Sequence, residues 1–290
     1  MPSPSHPPLE RATPLLGTIV RIRVEGCEAA RAMEAVSAAF SAMARVHRLM
    51  SFHAADSELS HVNRHAHARP VRVSAGTLAV LRQAVEVAKA SGGVFDPTIA
   101  SAVVRAGALP RPDGAPEPDP GSTWRDVELD MQARAVRFRR PLWLDLGGIA
   151  KGHAVDVATN LLRARGMPRG CVNAGGDLRV FGAAETVALH AGPSARALRL
   201  ADRSLASSGG LGPRVRPPHA PAVHYDPIRR RPAPRRFVSV LAVRCIQADA
   251  LTKVVLARGR AAAGLLVQFG ATAAICSPAL RWSVCGAPYP

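Results

Sequence analysis

Lysine is nearly missing from this chain. Only Lys89, Lys151 and Lys253 occur in 290 residues, so 35 of the 38 basic side chains are arginines, and with 21 acidic residues the formal net charge is +17. The arginines are spread along the sequence and thicken most at 229–231 and 235–236. Aromatic residues are scarce at 4%, and none interleaves with those arginines as a single-strand platform requires. The charge therefore reads as a solvated, compositionally biased surface, and no nucleic-acid partner is expected. No apolar run approaches 18 residues, which excludes an integral membrane-spanning helix. The five cysteines are odd in number, widely spaced and without a C-x-x-C pair, which argues against a zinc site or a disulfide framework and for reduced thiols. No basic start followed by an apolar core is visible near Met1, so the chain as written is expected in the cytoplasm. Neither a dinucleotide G-x-G-x-x-G nor a P-loop is present.

What is present fits a folded chain: 48% hydrophobic and 20% charged residues over a length that can bury a sizeable core. Residues 1–13, rich in proline, are expected to form a flexible arm, and 14–290 one domain. Residues 15–24 alternate apolar and basic positions and predict a half-exposed strand. Met33, Val36, Phe40, Met43, Val46 and Met50 recur at steps of three and four and predict a core-facing helix over 28–50. A second helix is expected over 75–90, capped by Ser74 and stopped at Gly92-Gly93. Proline-rich excursions occupy about 107–122 and 209–236. Strands are expected over 127–129, 136–138, 142–146, 171–173, 178–181, 187–190, 198–200, 237–244 and, last, 271–276. Helices are expected over 149–165, 247–258 and 261–269. Strands in runs with helices between them argue α+β.

Three segments carry chemistry. In Trp143-Leu-Asp-Leu-Gly-Gly-Ile-Ala-Lys-Gly-His, a strand delivers Asp145 and then Gly147-Gly148, which let backbone approach a ligand as a helix opens. That helix N-terminus suits phosphate, and Lys151 adds charge in its first turn; a plain tight turn is the alternative. Asn173-Ala-Gly-Gly-Asp177 makes a flat surface beside a carboxylate, or an ordinary turn. In Ala248-Asp-Ala-Leu-Thr-Lys253, positions 249, 252 and 253 share one helix face. Asp249 and Thr252 offer the hard oxygens that Mg²⁺ takes, unless Asp249 serves only as a helix-terminal charge.

Together these segments resemble a family, the ApbE-type FAD:protein FMN transferases. The match runs in order through Leu16-Gly17-Thr18, Met50-Ser51-Phe52, Asp56-Ser-Glu-Leu-Ser60 with Asn63, and Gly93-Val-Phe-Asp-Pro-Thr-Ile99. It continues through Leu144 to Asp156, Asn173 to Asp177, Leu205-Ala-Ser-Ser-Gly209, His224-Tyr-Asp-Pro227 and Ala248-Asp-Ala-Leu251. The resemblance implies a two-lobed α+β fold of mixed or antiparallel sheets packed by helices, with an FAD cleft between the lobes. It implies Mg²⁺-dependent transfer of FMN from FAD to a Ser or Thr hydroxyl of a carrier protein, releasing AMP. Mg²⁺ would be held by the Ala150 carbonyl, Asp249 and helix residues such as Thr252. Flavin contacts would come from Leu16, Phe52, Arg105, Ala106, Gly107, Gly147, Gly148, His153 and Tyr225. His224 would act as base on the acceptor hydroxyl, with Asp249 as its catalytic partner at the metal. Many members are exported to the periplasm.

The chain departs from the family pattern at three places. Lys253 stands where a threonine is usual, and lysine has donors only. Arg230 stands where the loop Asp226-Pro-Ile-Arg-Arg-Arg-Pro232 usually has glycine, and His153 replaces a tyrosine. The rival readings are a non-catalytic FAD-binding homologue with a degenerate metal site and an FAD pyrophosphatase giving FMN and AMP.

Overall fold

The computed structural model describes residues 7–209, 211 and 224–288. The chain opens with β1 (Leu9–Leu15), β2 (Thr18–Glu25) and the long helix α1 (Ala29–Met50). Next come α2 (Glu58–His65), β3 (Val71–Arg72), α3 (Ala75–Ala90) and α4 (Ala100–Arg105). After 106–123, which hold no helix or strand, β4 (Val127–Asp130) and β5 (Ala135–Phe138) form a hairpin, followed by α5 (Ala150–Ala164). Five strands follow: β6 (Arg169–Ala174), β7 (Asp177–Phe181), β8 (Glu185–Ala191), β9 (Ser194–Leu200) and β10 (Ser204–Gly209). The short hairpin β11 (Tyr225–Asp226) and β12 (Arg231–Pro232) precedes β13 (Phe237–Ala242) and α6 (Cys245–Arg258). The described chain ends with α7 (Ala263–Gln268), β14 (Thr272–Cys276) and β15 (Trp282–Gly286).

The architecture is α+β with antiparallel sheets. Eight strands form one sheet in the order β1-β2-β6-β7-β10-β13-β14-β15, every pairing in it antiparallel. Helices α1, α5 and α6 cover one face, where Val20, Ile22, Val172, Val238 and Val240 are fully buried. The β8–β9 hairpin covers part of the other face, over Leu178, Val180, Leu205 and Leu241. The three-stranded sheet β3-β5-β4 and helices α2 and α3 join the first core without a break. No helix among the described residues is long and apolar enough to cross a membrane.

Several expectations are met closely. Helix α3 starts where Ser74 accepts the Thr77 N–H, 3.3 Å away, and α1 buries Val36, Phe40, Met43, Val46 and Met50. Met33, however, is 45% exposed, because alanines 32, 35 and 39 fill the core side of its turn. The expected arm is also corrected: from Leu9 the chain is an edge strand, and Pro14 is tolerated there because its nitrogen owes the sheet no hydrogen bond. No strand forms over 142–146. That segment pairs with a side chain instead, with Asn63 Nδ2 donating to the Leu144 carbonyl at 3.0 Å and Leu144 N–H to Asn63 Oδ1 at 2.8 Å. The helix expected over 261–269 starts as a 3-10 turn, Gly259–Ala262, and β15 follows the strand expected to be last. Of the second proline-rich excursion, 210 and 212–223 lie outside the described residues, while 224–236 are not irregular throughout: they hold the β11–β12 hairpin.

Helices α5 and α6 cap each other. Asp156, in α5, accepts the Cys245 and Ile246 N–H groups at the start of α6, each at 3.0 Å, and the Arg179 guanidinium at 2.8 Å. In return Asp249, in α6, accepts the Gly152 N–H in the first turn of α5 at 3.1 Å. Each carboxylate meets the positive end of the other helix dipole. The crossing is so close that only glycine fits at 152: a Cβ there would lie 2.3 Å from the Cys245 carbonyl oxygen and 2.8 Å from Asp249 Cβ. Gly152→Ala should therefore lower the unfolding free energy by about 2–3 kcal/mol, as overpacked sites do, measured as a shifted urea midpoint at unchanged m-value.

Candidate functional site

The start of α5 faces a cavity of about 720 Å³, open to solvent, a size typical of small-molecule sites. Leu16 and Gly17 form one wall. They are the two central residues of the β1–β2 turn and both have positive φ, 57° and 70°, as the tightest hairpin requires. Phe52 and His53, after α1, stand beside them, and Asp96 and Asp145 reach the cavity from neighbouring loops. Gly147, Gly148, Ala150 and Lys151 come from the α5 start, Ser207, Ser208 and Gly209 from β10, His224 and Tyr225 from the β11 approach, and Lys253 from α6. His224 is held in place through its neighbours. Its carbonyl accepts the Ala233 N–H at 3.0 Å, and the fully buried Asp226 two residues on is tied to Arg258 of α6 at 2.9 Å.

Beneath Lys151 and Lys253 lie two carboxylates, Asp177 and Asp249, both 0% exposed. Lys151 Nζ donates to Asp177 Oδ2, and Lys253 Nζ donates to Asp249 Oδ1. Lys253 also reaches the Asp249 carbonyl at 3.2 Å and Ser208 Oγ at 3.3 Å. Thr252 points elsewhere: its hydroxyl donates to the Asp249 carbonyl at 2.7 Å and shares a hydrogen bond with Ser208 Oγ at 2.8 Å. Asp177 Oδ1 is buried without a partner among the described residues.

Burial pushes Asp249 up, but the ammoniums of Lys253 and Lys151 outweigh it and leave the carboxyl below its ordinary range. Burial and the Asp249 charge lift Asp177 to about 6, so it is still ionised at neutral pH. Burial works against the Lys151 ammonium, but Asp249 and Asp177 overcome it and raise its pKa. Two negative and two positive charges thus cancel in the floor. Burial, with Lys253 nearby, holds His224 down to about 4, so its imidazole is neutral and able to accept a proton at physiological pH.

The ApbE family model matches residues 16–276. The chain belongs to that family. It is 29% identical over 230 residues to an FAD:protein FMN transferase of Vibrio cholerae, covering 72% of this chain and 69% of the relative. A protein of the same name from Treponema pallidum is 30% identical over 185 residues, 59% of this chain and 51% of the relative. Among solved structures, the ApbE protein of Thermotoga maritima superposes with a TM-score of 0.84 at 23% identity, covering 96% of each chain. The Vibrio cholerae flavin transferase ApbE gives 0.76 at 25% identity and 98% of each chain.

Within this ApbE-family fold, Leu16, Phe52, Gly147, Gly148, Ala150, His224 and Tyr225 all line the one cavity. Arg105, Ala106 and Gly107 do not line it. The wall there is made by Val103, Ala108 and Leu109, because the chain turns after α4 at Gly107, with φ 74°. His153 is also absent from the lining, one helical turn beyond Ala150 and close to Gly76 of α3. Ser207, Ser208, Asp96 and Asp145 are lining residues to which sequence reasoning gave no role, although all lie inside motif blocks.

The donor set expected for Mg²⁺ does not fit a divalent ion. Both Asp249 oxygens are engaged, by the Lys253 ammonium and the Gly152 N–H. The Thr252 hydroxyl is committed to the Asp249 carbonyl and to Ser208.

Arg230 adopts φ 50°, the left-handed conformation for which glycine is suited. Such backbone costs a side-chain-bearing residue about 1–2 kcal/mol, partly offset on substitution by the greater unfolded-state freedom of glycine. Arg230→Gly should stabilise the protein by about 0.5–1 kcal/mol, raising Tm by about 1–3 °C in a thermal melt.

Proposed function

We propose that this chain transfers FMN from FAD to a Ser or Thr hydroxyl of a carrier protein, releasing AMP. The observation that carries the reading is the convergence of a glycine-lined helix N-terminus, two lysines and a neutral histidine on one cavity. The names of the relatives, FAD:protein FMN transferase, support it.

In this reading the FAD pyrophosphate lies against Gly147-Gly148, where missing side chains admit phosphate oxygens to the dipole end of α5. Lys151 and Lys253 offset its charge, so electrostatic positioning carries most of the catalysis. Leu16, Phe52 and Tyr225 supply apolar and aromatic surface for the flavin. The acceptor hydroxyl oxygen attacks the phosphorus of the FMN half, and its proton passes to the His224 imidazole. The new oxygen–phosphorus bond forms as the bond from that phosphorus to the bridging oxygen breaks. AMP leaves with the bridging oxygen, and FMN remains on the carrier as a phosphoester.

The test uses purified protein, FAD and a carrier peptide of the family's Ser/Thr-Gly-Ala-Thr type in Mg²⁺ buffer. Intact mass should report FMN on the peptide, with AMP released in equal amount. AMP without labelled peptide would move the reading to a pyrophosphatase, and FAD binding with neither product to a flavin binder. His224→Gln should cost about 10²–10⁴-fold in transfer, the usual weight of a general base, while FAD affinity stays within a few-fold. The acidic limb of kcat/KM assigned to His224 should lie near pH 4, not near 6.5, because the free enzyme holds the imidazole neutral down to there. A limb near 6.5 that persists in His224→Gln would remove His224 from the base role.

A further inference from the structure

The cavity floor holds an ammonium where the family resemblance leads one to expect a divalent ion, and the mismatch is itself informative. We infer that the Lys253 ammonium is the resident cation of this site, taking the place of a divalent metal against Asp249, Ser208 and the bound pyrophosphate. The inference rests on the transferase reading for its catalytic meaning but on geometry for its substance.

Four observations converge. Lys253 Nζ has three oxygen partners, the Asp249 carboxylate and carbonyl and Ser208 Oγ, so its three protons are directed at fixed acceptors. Its side chain runs beside Gly148: a Cβ built on that glycine would lie 3.4 Å from Lys253 Cε. The charge therefore sits next to the backbone that would carry phosphate. The α6 sequence contributes as well, because aspartate four residues ahead of lysine is the favourable order for an i,i+4 pair on a helix. Last, the chain uses arginine at 35 of its 38 basic positions, yet both basic side chains of the floor are lysines. A planar guanidinium is a poor substitute for a compact point charge in so tight a place, so two of the chain's three lysines, all but Lys89 of α3, stand in this floor against the arginine bias of the sequence.

A metal entering here would have to displace the lysine from Asp249 Oδ1 and then sit beside two ammoniums. Lys253 carries one charge, not two; Lys151 on Asp177 supplies the second. Among the described residues Asp177 Oδ1 is the one carboxylate oxygen of the floor left without a partner, and a single oxygen beside Lys151 is a weak lure for a divalent ion.

The experiment follows metal binding and transfer separately, in wild type, Lys253→Thr and the near-isosteric neutral Lys253→Met, each checked for a cooperative melt. Mn²⁺ alone serves as the probe, titrated in the presence of AMP and read by electron paramagnetic resonance. Wild type should show no saturable Mn²⁺ site below about 1 mM, and Lys253→Thr should gain a 1:1 site at least tenfold tighter. Wild-type transfer in EDTA should stay within twofold of that in Mg²⁺. Lys253→Met should lose at least 100-fold in EDTA, and Lys253→Thr should lose as much in EDTA but recover in Mg²⁺. Stoichiometric Mn²⁺ on wild type, or wild-type transfer abolished by EDTA and restored by Mg²⁺, would overturn the inference. Absence of Mn²⁺ binding in a folded Lys253→Thr would overturn it too, since the lysine would then not be what keeps the metal out. If no protein transfers flavin under any condition, the transferase reading fails, and the Mn²⁺ titrations still decide what occupies the site.

Discussion

The reciprocal capping of α5 and α6 is the constraint on which the site depends. Two helix N-termini buried side by side would leave orphan N–H groups and two positive dipole ends facing each other. Asp156 and Asp249 resolve both problems, each lending a carboxylate to the helix opposite. The geometry holds only because position 152 has no side chain, so the motif Ala-Lys-Gly-His owes its glycine to helix contact, whereas Gly147-Gly148 face the cavity. Asp249 is therefore part of the frame before it is part of any chemistry.

From that frame the electrostatics of the floor follow. A carboxylate as deeply buried as Asp249 stays ionised only beside positive partners, and the cap supplies just a partial one. Lys253 and Lys151 provide the rest, and the Asp177 carboxylate balances Lys151 in turn. The floor is neutral overall but polarised, with both ammoniums on the cavity side and both carboxylates beneath. An anion arriving in the cavity meets the positive layer first, in surroundings where charge is poorly screened. Burial, helped by the same layer, keeps the nearby His224 from protonating.

Much of this was legible in the sequence where local chemistry decides. Ser74 marks the start of α3, the 3.6-residue spacing of Val36, Phe40 and Met43 marks the buried face of α1, and the Val-Phe-Asp and Asp-Leu-Gly-Gly blocks mark the cavity lining, which the Asn173–Asp177 block does not reach. What stayed hidden depends on distant partners. Residues 142–146 look like a strand, but their neighbour is the side chain of Asn63, 81 positions away, so no ladder forms. Leu9–Leu15 sits in a proline-rich leader and is organised only by pairing with β2. His153 belongs to a motif block, and a block does not say which face of its turn meets the ligand; Arg105 lies outside every block, where no motif fixes its place. The role of Asp156 as cap was likewise invisible, because its partners lie 89 and 90 residues on.

The same distinction clarifies Lys253. Read as a string, a lysine four residues after an aspartate in a metal-ligand motif looks like decay. In the fold it is the side chain that completes the burial of Asp249, and removing it without a replacement cation would leave that carboxylate one hydrogen bond, from a backbone N–H, and only the more distant charge of Lys151. A divalent ion and a lysine are thus two solutions to one electrostatic requirement imposed by the α5–α6 cap. They differ in what they offer a phosphate: an ion has open coordination positions and must be captured from solution, whereas the lysine is always present but already directs its protons at three oxygens. To meet a substrate oxygen it must release one of them, and Ser208, the neutral and most distant partner at 3.3 Å, is the one whose loss costs least.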